Sequence, residues 1–391
     1  MESLESMTGR RFSATQRRTV QAMWASFRWA EFMQLVVKRE RYAVMLGALL
    51  SAAVLAACGS APAPAPSSGA VPSSEAAPSS GDVPSSAPPS PLKTPDPNAP
   101  LLTWAPPQLV DPQTIELPTG QTTTDLDPAR DYIIKFPTSG KEDTFIKGGH
   151  NIVMIGGHIS SGGSQPPWNS PEHRGIYVAD ATGTVHIEGI LIDNAAIGEA
   201  DGIDIAAPLA TVQIQNVRIV GLTGSETTTH ADVIQPWGGF KELRIDRLTG
   251  STDYQGLTIK PDLAVNGTEI VKNANVYSGR DDVGNWLVWL TKGSDTCETA
   301  ANVQLSEVYV TPRPGRDLGN SVWPPDQFAA VDASGATQQC LSTLSPDKTQ
   351  VSFPSLPAVS GVVKKGPPPG GDFVPNGVAG TDYVSPGYID R

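Results

Sequence analysis

The sequence has few charged and few aromatic residues. Charged residues make up 17% of the chain and aromatic residues 6%, whereas the 391 residues include 38 glycines and 36 prolines. Helical bundles and coiled coils depend on many charged and long aliphatic side chains, so this composition argues against both classes. It is typical of a turn-rich all-β protein that is joined to a disordered segment.

Basic residues are scarce beyond the N-terminal region. The chain has 28 Lys and Arg against 40 Asp and Glu, and its formal net charge is −12. Residues 1–57 contain eight of the basic and four of the acidic residues, so the remainder carries 20 against 36, a net −16. Such a surface repels a phosphate backbone, and we therefore expect no nucleic-acid partner.

Cysteine is rare, and the first of the three follows an apolar run. Residues 43–57 (AVMLGALLSAAVLAA) are all apolar or small, and the basic stretch Lys38–Arg41 precedes them. A membrane-spanning helix needs about 20 such residues, whereas the apolar part of a cleavable signal needs about 7 to 15. The run ends in Leu55-Ala56-Ala57-Cys58, which resembles the lipobox of bacterial lipoproteins. An ordinary secretory signal followed by a coincidental cysteine is the alternative.

The lipobox resemblance implies an exported protein whose Cys58 is lipidated and anchored to the cell membrane, facing outside the cytoplasm. We assign residues 1–57 to the signal region, with Met33 as an alternative start that gives a signal of ordinary length. Of the 42 residues in 59–100, 33 are Ala, Pro, Ser or Gly. Such a segment cannot bury a core, so the sequence predicts a disordered linker over 58–100.

Aliphatic pairs five residues apart recur along the rest of the chain. The six pairs are Met154/Ile159, Ile187/Ile192, Ile214/Ile219, Leu243/Leu248, Val271/Val276 and Leu305/Val310. A second set of strand-like segments precedes them, namely Arg174–Val178, Asp201–Ile205, Asp232–Pro236 and Gln255–Ile259. Two sets of alternating segments that advance together predict stacked layers, each adding a strand to more than one sheet.

This pattern, from about residue 125 to residue 310, resembles the right-handed parallel β-helix, or pectin-lyase-like, fold. The resemblance implies an all-β, single-stranded solenoid, which we place at 101–350. A β-propeller needs longer repeats, and a leucine-rich solenoid needs helical halves that are not evident here. We expect an N-terminal cap over 101–137, with Tyr132–Phe136 as its first layer. Residues 351–391 are rich in Pro and Gly, and they either lie over the strands or fray.

The two cysteines that remain after Cys58 are Cys297 and Cys340. An even pair in an exported chain predicts a disulfide. Two buried free thiols are the alternative. We expect the protein to be a monomer.

Aligning the second set of segments predicts one outward row of Tyr177, Asp204, Gln235 and Thr258. A neighbouring row contains Ala179, Ala206, Trp237 and Lys260. His230 and Asp232 precede the third segment, and an imidazole oriented by a carboxylate is a suitable general base. The alternative is that both residues only stabilise a turn. We expect His230, Asp232 and Lys260 to be catalytic.

Tyr177, Asp204, Gln235, Trp237 and Arg280 are the candidate substrate-binding residues. Exposed aromatic rings stack on the flat faces of sugars, which favours Tyr177 and Trp237, whereas we expect Trp286 and Trp289 to pack in a turn. A local basic group of Lys260, Lys272 and Arg280 would attract acidic sugars. Asp201 and Asp204 are weak candidates for Ca²⁺, because the sequence has no Asp-rich loop to supply further oxygens.

Two functions from different classes remain open. The first is a surface-anchored lyase or glycoside hydrolase that acts on an extended polysaccharide. The second is a non-catalytic protein that binds a glycan or another partner through the same face. Among sequence signatures of the β-helix enzymes, only Asp281-Asp282 resembles that of polygalacturonases. The resemblance therefore extends to the fold, and a fold alone does not determine an activity.

Overall fold

A computed structural model describes residues 102–161, 173–196, 199–225, 229–258, 267–280, 286–290, 297, 301–326 and 340–386. The predicted signal region, Cys58 and the predicted linker lie outside the described residues. The described part is all-β. No helix in it is long and apolar enough to cross a membrane.

The strands of the described part are mostly short, apart from two long ones in the middle of the chain. They are β1 (Gln113–Glu116), β2 (Thr122–Leu126), β3 (Tyr132–Lys135), β4 (Thr144–Gly148), β5 (Ile152–Ile159), β6 (His173–Ala179), β7 (Thr184–Asp193), β8 (Ala200–Leu222), β9 (Ile234–Thr252), β10 (Leu257–Thr258), β11 (Gly267–Ser278), β12 (Val288–Trp289), β13 (Ala301–Thr311), β14 (Val322–Trp323), β15 (Thr343–Leu344), β16 (Gln350–Ser352), β17 (Val359–Ser360) and β18 (Val363–Lys365).

Most strands pair in parallel with the strand that comes two later in the chain, so that β1 pairs with β3 and β2 with β4. This pairing generates two ladders. Ladder one contains β1, β3, β5, β7, the C-terminal parts of β8 and β9, β11 and β13. Ladder two contains β2, β4, β6, the N-terminal parts of β8 and β9, β10, β12 and β14. Among the described strands, the antiparallel pairs are β15–β16 and β16–β18.

The core lies on one face of each ladder, because aliphatic side chains alternate with polar ones along the strands. In ladder one, a fully buried row runs through Met154, Ile187, Ile214, Ile245 and Val271. In ladder two, the equivalent row is Ile176, Ile203, Ile234, Leu257, Val288 and Val322. Stacking neighbouring layers therefore removes these side chains from water, which no single layer achieves alone.

The structure corrects the fourth of the predicted aliphatic pairs. Ile214 lies opposite Ile245 in ladder one, whereas Leu243 lies opposite Val212. Ile219 lies opposite Gly250. The predicted Leu243/Leu248 pair therefore lies two residues before the true partners of Ile214 and Ile219. A shift of two residues leaves side chains on the same face of a strand.

A column of left-handed residues crosses six successive strands of ladder one, from β5 to β13, at the same position in each. Its members are Gly156, Gly189, Asn216, Arg247, Asn273 and Glu307, with φ angles between 49° and 66°. A residue in this conformation redirects the chain within a strand. At Gly189 the requirement is also steric, because a Cβ there would overlap the ring of Tyr383.

Both ends of the strand region differ from the sequence prediction. Tyr132–Lys135 is not the first layer, because β1 pairs with it and precedes it in the chain. Parallel pairing also continues past residue 350, where Val359 pairs with Val303 and Val363 pairs with Val308. The sequence analysis assigned β1 to a cap and β17 and β18 to a tail, because these short segments contain few aliphatic residues.

Segments from both ends of the described chain cover ladder one. The backbone NH of Trp104 donates to Gln215 Oε1 (3.1 Å), and Gln215 Nε2 donates to the Trp104 carbonyl (2.7 Å). From the C-terminal segment, the Tyr383 hydroxyl donates to Glu188 Oε1 (2.6 Å) and accepts from Asn216 Nδ2 (2.7 Å). These contacts add hydrogen-bond partners to polar side chains of β7 and β8.

The predicted disulfide between Cys297 and Cys340 is present, with the two Cα atoms 5.1 Å apart. Cys340 is fully buried and belongs to the apolar core. The bond closes a sequence separation of 43 residues. A covalent link over such a loop stabilises the fold by restricting the unfolded chain.

One carboxyl group interrupts the apolar core. Glu269 lies between Leu243 and Val303 in ladder one and is only 1% exposed. Among the described residues its Oε2 atom has no hydrogen-bond partner. Burial raises the pKa of Glu269 from 4.5 to about 8.

We expect Glu269 to make the stability of the fold decrease as pH rises. The folded state keeps a proton that the unfolded state loses, so the free energy of unfolding falls between pH 4.5 and about 8. Glu269→Gln should match the wild type near pH 4.5 and exceed it by about 3–5 kcal/mol near pH 8, as measured by urea unfolding. The control is Glu242→Gln on β9, which should change stability little at either pH. A pH-independent difference between Glu269→Gln and the wild type would contradict the prediction.

Candidate functional site

Ladder two brings four of the predicted site residues side by side. Tyr177 pairs with Asp204, and Asp204 pairs with Gln235. Thr258 follows on β10 in the same register. We call Tyr177, Asp204, Gln235 and Thr258 the polar row, and it lies on the face of ladder two opposite to the aliphatic core.

The polar row is more buried than the sequence predicts. Asp204 and Thr258 are 0% and 4% exposed, and Tyr177 is 9% exposed. Gln235 is half-buried. The row faces away from the core, as predicted, but Tyr177, Asp204 and Thr258 are buried because neighbouring side chains pack over them.

Arg174 accounts for part of this burial, and the sequence analysis did not select it. Its Nε atom donates to Asp204 Oδ2, forming an ion pair between two buried groups. The guanidinium also lies 5.2 Å from the centre of the Tyr177 ring. A guanidinium in such a setting fixes both the carboxylate and the ring through a charged hydrogen bond and a cation–π contact.

Asp232 connects three successive layers of ladder two. Its carboxylate accepts hydrogen bonds from Gln235 Nε2 (2.5 Å) and from the Thr258 hydroxyl. Its backbone NH donates to Asp201 Oδ1 (2.8 Å). Asp201 and Asp232 are both buried. These bonds hold the polar row in a defined arrangement.

His230 lies at the edge of this network and is exposed. Its ring stacks on Tyr254, with the ring centres 5.6 Å apart. Ala231, between His230 and Asp232, has a φ of 54°, and its carbonyl accepts a hydrogen bond from the Thr252 hydroxyl (2.5 Å). A left-handed alanine is uncommon and turns the chain sharply. It directs the imidazole of His230 to the surface, while the carboxylate of Asp232 contacts the polar row.

An aromatic group adjoins the polar row. Phe145 stacks on Tyr177 at 4.3 Å, and Tyr177 is 5.9 Å from Trp237. Burial raises the pKa of Tyr177 to about 12, so its hydroxyl stays neutral at physiological pH. The predicted alignment of Trp237 with Ala206 is wrong, because Ala206 pairs with Gly239 across a bulge. Bulges of this kind redirect side chains, and Trp237 here lies beside Tyr177.

Of the predicted basic group, the structure describes Lys272 and Arg280, and Lys260 lies outside the described residues. Arg280 is exposed, and its guanidinium is 3.9 Å from Asp253 Oδ2. Lys272 belongs to ladder one, where its ammonium lies 5.3 Å from the centre of the Trp104 ring. Lys272 is therefore separated from the polar row by strand topology.

The two weak candidates for Ca²⁺ both bind protein groups. Asp201 accepts a hydrogen bond from the backbone NH of Asp232, and Asp204 accepts one from the guanidinium of Arg174. No group of three or more His, Cys, Asp and Glu side chains in the described part of the chain is arranged to hold a metal ion.

Sequence reasoning also missed a polar cluster beside β4. His173 Nδ1 is 2.5 Å from Asp143 Oδ2, and Gln121 Nε2 donates to the same oxygen at 3.2 Å. Burial lowers the pKa of the neighbouring Lys141 to about 8. The residues come from three separate segments, and only the layer register, which aligns β2, β4 and β6, could have indicated that they meet.

No protein-family model matches this chain, and comparisons with curated proteins and with solved structures find no match either.

We expect Arg174 to be important for stability because it neutralises a buried carboxylate. Arg174→Met should lower the free energy of unfolding by about 3–5 kcal/mol, and adding Asp204→Asn should restore most of the loss. Arg218→Met is the control, since Arg218 pairs with the partly exposed Asp372 at 2.8 Å and should contribute about 1 kcal/mol. Urea unfolding measures all four proteins. Equal losses for the two arginine variants, or no rescue by Asp204→Asn, would refute this account.

Proposed function

We propose that the two ladders are sheets of a right-handed parallel β-helix. The support is threefold: strands alternate between the ladders, the long strands β8 and β9 contribute to both, and left-handed residues recur at one position per layer. Consecutive parallel strands in one sheet are almost always connected with a right-handed crossover, which gives the handedness.

We propose further that the protein is a lipoprotein of a bacterial envelope, anchored through Cys58, that binds and cleaves an extended polysaccharide on ladder two. The observation that carries this proposal is the joining of an aromatic group to a hydrogen-bonding row on one face. The half-buried Trp237 offers a ring face to a sugar, the buried Tyr177 ring lies against it, and Gln235 offers an amide on the same strand. Carbohydrates are recognised by this combination of apolar faces and directional polar groups.

His230 is the best candidate for a catalytic base in this proposal. It is exposed, lies two residues from Asp232, and is presented by a left-handed residue of the kind that clusters at functional sites. Proton abstraction from a sugar hydroxyl or from a uronate carbon needs such a group. Lys260 is the second candidate for this chemistry.

A non-catalytic binding protein is the second candidate function, and the burial of the carboxylates favours it. Asp204 is paired with Arg174, and Asp232 accepts hydrogen bonds from Gln235 and Thr258. Carboxylates that hydrogen-bond within the protein in this way stabilise a binding surface and are not available for catalysis. Only measured turnover separates the two functions.

The anchor is tested with Cys58→Ser. In the bacterial host the wild type should incorporate labelled fatty acid and sediment with membranes, whereas the variant should do neither, because the thiol is the acylation site. The double variant Cys297→Ser/Cys340→Ser is the control and should keep its label. Fatty-acid incorporation into Cys58→Ser would exclude this anchor.

Catalysis is tested with His230→Ala on a panel of neutral and acidic polysaccharides. Release of reducing ends or of unsaturated products should fall by about 100-fold or more, while binding changes little. His150→Ala is the matched control, since His150 is also exposed but pairs with Asp131 at 2.8 Å. Binding without turnover in both the wild type and His230→Ala would remove the enzyme and leave the binding protein.

A further inference from the structure

The polar row does not end at Thr258. Trp289 on β12 pairs with Thr258, and Trp323 on β14 pairs with Trp289. The preceding residues Val288 and Val322 are fully buried in the core. By alternation, the two indoles therefore lie on the same face of ladder two as Tyr177 and Gln235.

Three indoles meet at this end of the row. Trp286 contacts Trp323 edge to face, with ring centres 4.9 Å apart, and Trp289 is 5.6 Å from Trp323. The guanidinium of Arg316 lies 5.1 Å from the centre of the Trp286 ring, and its Nε donates to the Asn320 carbonyl at 2.7 Å. We call Trp286, Trp289 and Trp323 the indole cluster.

The exposure of the indole cluster distinguishes it from core packing. All three Trp residues are half-buried, whereas Leu287 and Leu290, next to them in the chain, are at most 2% exposed. The expectation that Trp286 and Trp289 merely pack in a turn does not explain why the rings remain accessible. Partly exposed indoles beside a fixed guanidinium offer stacking faces and hydrogen-bond donors together, as a sugar ring requires.

The spacing of the layers fixes the length of the ligand. Parallel strands lie about 4.8 Å apart, so Trp289 on β12 is about 10 Å and Trp323 on β14 about 14 Å along ladder two from β9, the strand that carries Trp237. One strand spacing is close to the length of one pyranose in an extended chain. An occupant that contacts Trp237 and both of these indoles must therefore span about four sugar residues.

We propose that the indole cluster, with Arg316, is a second pyranose-binding subsite, and that one extended oligosaccharide binds it together with Trp237. The proposal rests on the proposed polysaccharide binding along ladder two and extends it to a defined minimum length. Two subsites joined by one ligand act as a bivalent site, so affinity should rise steeply once the ligand reaches both.

The test uses cello-oligosaccharides and oligogalacturonides, from disaccharide to hexasaccharide, with affinities measured by calorimetry. For the wild type, affinity should increase about tenfold or more between the disaccharide and the tetrasaccharide of the series that binds. Trp289→Thr copies the residue found in the adjacent layer and should abolish this increase. Trp104→Leu removes an indole that lies on ladder one and should leave the increase unchanged.

Protection from chemical oxidation provides a test that needs no variant. Indoles of the wild type are oxidised with N-bromosuccinimide, and the products are mapped by mass spectrometry. A tetrasaccharide should protect Trp237, Trp289 and Trp323 together, whereas a disaccharide should not protect both ends.

The outcomes separate this inference from the proposed function. Absence of binding by every oligosaccharide in both series would overturn both. Binding by the wild type with the same length dependence in Trp289→Thr, or protection of Trp237 while Trp289 and Trp323 stay reactive, would overturn the second subsite alone.

Discussion

Parallel backbone hydrogen bonding sets the position of every side chain on ladder two. Because each strand pairs in register with the equivalent strand of the next layer, residues separated by about 30 positions in the chain become neighbours. The apolar side of this arrangement is removed from water, and the opposite side is left to present whatever the sequence places there. The polar row and the indole cluster are consequences of that single constraint.

Polar groups within the stack are held by one another. Arg174 and Asp204 form a buried pair, and Asp232 joins Gln235 to Thr258 across the layers. Bonds of this kind restrain the groups that make them, and losing one member leaves a buried group without its partner. Glu269 is the exception in ladder one, where a carboxyl group lies among aliphatic side chains and keeps its proton because its pKa is raised.

The layered all-β character was predictable from the sequence because hydrophobic alternation repeats in every layer. The register was predictable for Ile187 and Ile214, but periodicity could not distinguish Leu243 from Ile245, since both face the core. The ion pair of Arg174 could not be predicted, because nothing in local sequence indicates which carboxylate it reaches.

The environment of His230 was equally inaccessible to sequence reasoning. Its orientation depends on the left-handed backbone of Ala231, a conformation that alanine does not signal. Glycine at 156 and 189 and asparagine at 216 are residues that favour this conformation, but Arg247 and Glu307 adopt it in the same column. Stacking on neighbouring layers imposes the conformation on them, and only the assembled layers reveal it.

The attachment of the N-terminal segment has a mechanical consequence. Thr103 and Trp104 bind Asp246 and Gln215, which lie in middle layers of ladder one rather than at its first strand. A pulling force that enters the folded region through this segment is therefore borne first by a few side-chain hydrogen bonds on its flank. These hydrogen bonds break one after another and the segment extends. The force therefore reaches the strands only after the segment has detached from ladder one.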